Sequence, residues 1–225
     1  MASASTAPAD ATPAGELRAG ATPAGAAPTG AAPTGAAPTR SSLRREDWIA
    51  AATEVLHEQS IDAVRIETLA AQLKVTRGSF YWHFRNRNEL LESLLLAWRN
   101  SATEQVIDRF ERRVVDPHTQ IRELLTLPFR GQAARRAAAT ELAIRDWARR
   151  DEMARKMVDE VDAIRLSYIA QSFSSLGMDI AEARHRAFAL YAYEVAESLM
   201  PAQGTDTQKR ERRAFMESLL LARAG

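Results

Sequence analysis

Thr76-Arg77-Gly78-Ser79-Phe80-Tyr81-Trp82-His83-Phe84 decides how this chain is read. Phe80 and Phe84 lie four residues apart, so a helix turns both toward a core. Arg77, Gly78, Ser79, Tyr81, Trp82 and His83 then face partly or wholly outward. Aromatic side chains exposed on a short helix are costly unless another surface covers them. A glycine inside a helix costs about 1 kcal/mol relative to alanine, so keeping Gly78 implies that a partner comes close. Charge agrees: Lys74, Arg77, Arg85 and Arg87, with His83, lie in a stretch that holds no acid. Arg40, Arg44 and Arg45 add to it from the start of the first helix. Basic side chains of this kind hold phosphates, while groove-facing side chains read base edges.

The flanks build a frame around this segment. A first helix is expected from about 42 to 59, capped by Ser41 or Ser42, with Trp48, Ile49, Ala52, Val55 and Leu56 on its apolar side. Ser60-Ile61-Asp62 breaks it. A second helix takes 67–73, Lys74-Val75 turns the chain, and Thr76 caps a third helix to about 84. Two short helices behind a longer one make a helix-turn-helix. Beyond it, Asn86 or Asn88 starts a long helix towards Arg113. Further helices are expected at 118–127, 132–149, 151–176, 179–199 and 207–224, punctuated by Pro117, Pro128, Gly177 and Pro201. The fold class is all-α, with about nine helices.

Bulk composition argues the other way only until it is divided. The 225 residues carry 30 Lys+Arg against 29 Asp+Glu, a net charge of +1, so nucleic acid is not drawn by overall charge. Residues 1–39 hold five of the ten glycines and six of the nine prolines, and Gly-Ala-Ala-Pro-Thr runs three times in tandem from Gly25. Such residues bury too little to offset ordering entropy, and 1–39 is expected to be a disordered, solubilising tail. It lacks the basic start and apolar centre of a secretory signal, and no run is apolar enough to span a membrane, so a cytoplasmic protein is expected. The absence of cysteine excludes disulfides, thiolate metal sites and a cysteine nucleophile. The four histidines show no metal-ligand spacing, and neither a phosphate-binding glycine loop nor a Gly-x-Ser-x-Gly elbow occurs. No enzyme, metal or cofactor is expected.

Residues 44–99 resemble the DNA-binding domain of TetR-family (tetracycline-repressor-like) transcription regulators. The likeness runs from Trp48-Ile49-Ala50-Ala51-Ala52 through Leu69-Ala70-Ala71-Gln72-Leu73-Lys74-Val75-Thr76 to Phe80-Tyr81-Trp82-His83-Phe84-Arg85-Asn86-Arg87-Asn88-Glu89-Leu90-Leu91. It implies that Arg77, Gly78 and Ser79 touch base edges, that Tyr81 and His83 hold phosphates, and that Arg87 grips the backbone at the next helix start. Arg65 carries over only as a phosphate contact. With Lys74, Thr76 and Trp82 they form the candidate DNA-binding set. Ser60 and Lys74 stand where the family usually places glycine. A left-handed backbone at either would cost about 1–2 kcal/mol.

The resemblance also implies a ligand cavity among the later helices. Phe110, Phe129, Trp147, Met157, Tyr168, Phe173 and Tyr191 are its candidate lining, with Met153 and Tyr193. Packed core is the ordinary alternative for each. Trp147 and Tyr168 are preferred, because a polar tip on an apolar body suits a mixed pocket. Asp146, Asp162 and Arg165 fit either pocket polars or surface ion pairs, and Glu194 an interface edge. The last two helices have apolar faces that suit a homodimeric four-helix bundle. The expected organisation is a DNA-binding domain at 40–88 and a ligand-binding and dimerisation domain at 89–225. The expected function is a repressor released from a palindromic operator by a small molecule. The alternative is a helical small-molecule-binding protein whose DNA binding is lost or secondary.

Overall fold

The computed structural model describes residues 43–113 and 116–222; the tail read at 1–39 and the caps read at Ser41 and Ser42 lie outside them. Helix α1 (Arg45–Glu58) begins at Arg44, whose backbone N–H donates to Asp47 Oδ2 at 2.7 Å. Ser60 is fully extended, at φ −177°, and leads into a short 3-10 turn (Ile61–Ala63). No left-handed residue ends α1, so the glycine implied at Ser60 is not needed. Helix α2 (Ile66–Gln72) does end in one: Lys74 has φ +56°. Helix α3 (Arg77–Phe80) is a single turn, shorter than expected. Thr76 holds its N-cap position but makes no side-chain cap bond. The chain stays coiled beyond it, with His83 N–H and Phe84 N–H both donating to Phe80 C=O.

Helix α4 (Arg87–Arg99) is capped by Asn86, whose side chain accepts from Glu89 N–H at 3.0 Å. A π turn (Asn100–Glu104) then joins it to α5 (Gln105–Glu111). One continuous helix was expected here; counted as such, the described residues carry the expected nine. The extra residue of a π turn re-aims side chains, and such turns concentrate at functional sites. Asp116 caps α6 (Pro117–Leu124), and Pro128 sits in a 3-10 turn (Leu127–Phe129) before α7 (Gly131–Ala148). Asp151 caps α8 (Glu152–Ser174), and Gly177, at φ +88°, turns the chain to Asp179, which caps α9 (Ile180–Leu199). Thr205 and Gln208 cap α10 (Asp206–Leu221) reciprocally. No strand occurs among the described residues.

Two cores organise these helices. Trp48, Phe80, Phe84, Leu90 and Leu94 from α1–α4 form the first, together with Ile144 and Trp147 of α7 and Val161 of α8. Phe110, Ile121, Ile169, Phe173, Leu190 and Leu220 form the second. Each large apolar side chain buried this way contributes about 1.5–3 kcal/mol. The helix-turn-helix is therefore not sealed off at residue 88: α7 packs directly against α1.

Candidate DNA interface and interior cavity

The recognition segment is held from behind by aromatic contacts. Phe80 is fully buried, edge-on to Trp48 at 5.3 Å and stacked on Phe84 at 5.3 Å. The Arg45 guanidinium covers the Phe84 ring at 4.1 Å and donates to Glu89 Oε1, Ser93 Oγ and the His83 carbonyl. Arg45 thus builds the domain and does not belong to a phosphate-facing patch.

Lys74, Thr76, Arg77, Gly78, Tyr81 and Trp82 are exposed, Trp82 to 89%, and His83 is half-buried. Arg65 is also exposed, its Nε bonded to the Asp62 carbonyl at 3.0 Å. Two members of the expected set need correction. Ser79 is buried, with Oγ 3.5 Å from Thr76 Oγ1, because a one-turn helix packed on α2 turns both of its last residues inward. Arg87 is committed internally: Nε donates to Val64 C=O and Nη2 to Ile61 C=O, each at 2.6 Å. Acids absent from the 74–87 stretch also return in space. Glu67 pairs with Arg77 at 3.3 Å and Glu89 with Arg85 at 3.0 Å. The Arg85 backbone N–H and guanidinium hold the Glu89 carboxyl down to about 2.

Gly78 has an ordinary helical backbone and open space around it. A Cβ there would meet only Thr76 Oγ1, at 3.7 Å. The fold does not need glycine at this position. Gly78→Ala should therefore raise stability by up to about 1 kcal/mol while weakening DNA binding. Thermal melts and fluorescence anisotropy on the same preparation check this, and a lower melting temperature with unchanged binding would contradict it.

A cavity of about 370 Å³ lies among the π turn, α5, α7, α8 and α9. Tyr168 and Tyr191 line it, as expected. Phe110 and Phe173 are instead buried in the second core, and Trp147 in the first, with Met157 packed against it. Phe129 lies under the Arg213 guanidinium, 5.9 Å away. Phe110, Trp147 and Phe173 fill space between helices; the cavity exists where α7 presents Ala133, Ala134, Ala137 and Ala138. The polar lining was mostly missed. Arg165 donates to both Glu141 oxygens (2.9 and 3.0 Å), to Tyr191 Oη, to Thr103 Oγ1 and to the Ala102 carbonyl. Arg145 donates to Glu141 and Asp162, and Tyr191 Oη–H donates to Asp162 Oδ1 at 2.6 Å. The spacing of Glu141 and Arg145, four apart on one helix, was the available signal. Asp162 and Arg165 are thus network polars, whereas Asp146 is an exposed partner of Arg150.

Burial opposes charge on Arg165, but Glu141 and Tyr191 outweigh it and its pKa rises; Asp162 is held low by Arg145 and Tyr191 against the same penalty. Burial pushes the Tyr191 hydroxyl up. Glu194 differs. Its Oε1 is sealed from solvent without a hydrogen-bond partner, and burial pushes its carboxyl up to about 8, Arg165 opposing and Glu141 adding. Folded Glu194 therefore keeps a proton that the unfolded chain loses near 4.5, and this contribution to stability falls as pH rises from about 4.5 to 8. Thermal melts should show native protein losing ground to Glu194→Gln across that window; parallel curves would refute it.

An all-α scaffold that presents a short basic and aromatic helix behind a tight turn has helix-turn-helix architecture. Residues 49–94 match the family described as bacterial regulatory proteins, tetR family. The match covers the helix-turn-helix and the first half of α4. It is 44% identical over 46 residues to the class G tetracycline repressor protein of Vibrio anguillarum, covering 20% of this chain and 22% of that one. It is 40% identical over 52 residues to the class D protein of Escherichia coli, covering 23% and 24%. The chain thus spans less than a quarter of the length of these curated relatives. A transcriptional regulator from Rhodococcus sp. Rha1 shares the fold, with TM-score 0.63 and 16% identity over 80% of this chain and 96% of that one. The matched domain is one found in bacterial regulatory proteins, and the fold is shared with a transcriptional regulator. No helix of the described residues is long and apolar enough to cross a membrane.

Proposed function

We propose that this protein is a ligand-responsive transcription repressor, not an enzyme, acting in the cytoplasm as a homodimer on a palindromic operator. The observation that carries this is the outward face of the recognition segment. Arg77 and an unobstructed Gly78 stand beside exposed Tyr81 and Trp82. In this reading Arg77 and Gly78 meet base edges, and Arg65, Lys74, Thr76, Tyr81, Trp82 and His83 meet the backbone. The residues 40–88 bind DNA and 89–225 bind ligand and pair the subunits. Exposed Ile180, Phe188 and Leu199 on α9, with Phe215 and Leu219 on α10, supply an apolar face for that pairing. Two recognition helices then enter major grooves about 34–36 Å apart.

Coupling runs through α7. Glu141 and Arg145 line the cavity, while Ile144 and Trp147 of the same helix pack in the first core with Trp48 of α1. Arg136 also reaches Glu54 of α1 at 4.0 Å. A ligand that binds better to one arrangement of α7 shifts the population toward it, and operator affinity changes by that difference. The test is fluorescence anisotropy with the DNA upstream of the protein's own coding region. Arg77→Ala should cost about 1–3 kcal/mol of binding and relax base preference. Binding should also weaken steeply with salt. Unchanged affinity in the variant, or a flat salt response, rejects the assignment.

A further inference from the structure

Resting on the reading of the interior cavity as the effector site, we propose that its ligand is a small organic cation with an apolar body, an alkylammonium, and that Glu194 is its counter-ion. The inference comes from charge accounting inside the cavity. From α7 come Glu141 and Arg145, and from α8 come Asp162 and Arg165. Their contacts, Arg145 to Glu141 at 2.9 Å, Arg145 to Asp162 at 2.6 Å and Arg165 to Glu141 at 2.9 Å, close two cations on two anions. That network is neutral by itself. Tyr191 of α9 is spent within it, donating to Asp162.

Glu194, also on α9, is the acid left over. Several buried side-chain polar atoms lack a partner among the described residues, and of the residues that carry them Glu194 is the one that lines the cavity. The other charged groups of the lining stand elsewhere: Arg109 is exposed to solvent, and Arg130 is exposed and paired with Glu123 at 3.4 Å. A buried carboxyl with no partner is held neutral, because an unpaired charge there is expensive. A ligand bearing one positive charge removes the reason for that neutrality. An anion would meet a surplus acid, and an uncharged ligand would leave it surplus. The remaining wall suits an alkyl body: Ala133, Ala137, Leu142, Ile169 and Val195 are apolar. The Tyr168 ring adds a face on which an ammonium is stabilised.

Binding is then an exchange of a proton for a cation. The Glu194 carboxyl releases its proton to solvent, and the carboxylate pairs with the ammonium; no bond other than O–H is broken. Calorimetric titration of the full-length protein with octyltrimethylammonium, 1-octanol and octanoate tests this with one chain length and three head groups. The quaternary head cannot itself lose a proton. Octyltrimethylammonium should bind with release of about one proton, and tighten about tenfold per pH unit from roughly pH 6 to 8. Buffers of different ionisation heat report the proton count. Glu194→Gln should weaken the cation at least about tenfold and leave 1-octanol unchanged. If 1-octanol or octanoate binds and the cation does not, the cationic ligand is overturned while the cavity reading stands. Cation binding that is independent of pH and of Glu194→Gln also overturns it. If none of the three binds, both readings fall. Should Glu194→Gln fail to fold, the proton release of the native protein decides alone.

Discussion

Arg165→Ala should destabilise the protein by about 3–5 kcal/mol, the cost of breaking a buried ion pair from one side. The side chain is 15% exposed and holds five acceptors on three elements: Glu141 twice, Tyr191, Thr103 and the Ala102 carbonyl. Alanine would leave Glu141 with Arg145 alone and strand the carbonyl inside the π turn. In a domain of this size the loss corresponds to roughly 6–20 °C in melting temperature. Removing both partners should be milder. Arg165→Met with Glu141→Leu leaves Arg145 paired with Asp162, so no charge is stranded, and the two changes should be strongly non-additive. Urea denaturation of the two single variants and the double variant measures this. A loss under about 1 kcal/mol for Arg165→Ala would show that the network is solvated and contributes little.

Arg87→Ala should cost about 3 kcal/mol or more, from two hydrogen bonds between a charged donor and main-chain carbonyls. Both bonds, at 2.6 Å, fasten the start of α4 to the 3-10 turn that leads into α2. The decisive comparison is Arg87→Lys. Lysine keeps the charge, so it would preserve most of a phosphate contact. It has no fork with which to span two carbonyls. The structure therefore predicts that lysine fails to restore stability, and that DNA affinity falls in step with unfolding of the helix-turn-helix. Restoration of both by lysine would return Arg87 to the phosphate-facing set.

These two arginines mark where sequence reasoning stops. The helical framework was legible because it rests on local rules. The Asp151, Asp179 and Gly177 boundaries and the inward Phe80 and Phe84 all follow from neighbours within a few residues, whereas the left-handed Lys74 was implied only by the family resemblance, which implied the same at Ser60, where the backbone is extended. The π turn was not legible; it falls between Leu90–Trp98, which pack in the first core, and Phe110, which packs in the second. Nor was the purpose of a charge. Arg45, Arg87 and Arg165 look like any surface arginine in the chain, yet each is tied to groups 23 to 63 residues away. Glu67 and Glu89 lie outside the acid-free stretch in sequence and beside it in space.

By itself, then, the sequence determined the all-α class, the helix-turn-helix and the segment that faces outward, because periodicity and capping are short-range. It also singled out Gly78 as a residue that needs an external reason, and the open space around it agrees. Only the tertiary structure decided which aromatics are core and which line a cavity, because that depends on what the facing helix offers. Small alanines on α7 open a space that Tyr168 and Tyr191 border, while Trp147 and Phe173 meet large neighbours and are buried. It also decided which acid is left without a partner. Pairing among Glu141, Arg145, Asp162 and Arg165 is set by α7 meeting α8, and Glu194 of α9 is the acid that this meeting leaves unpaired.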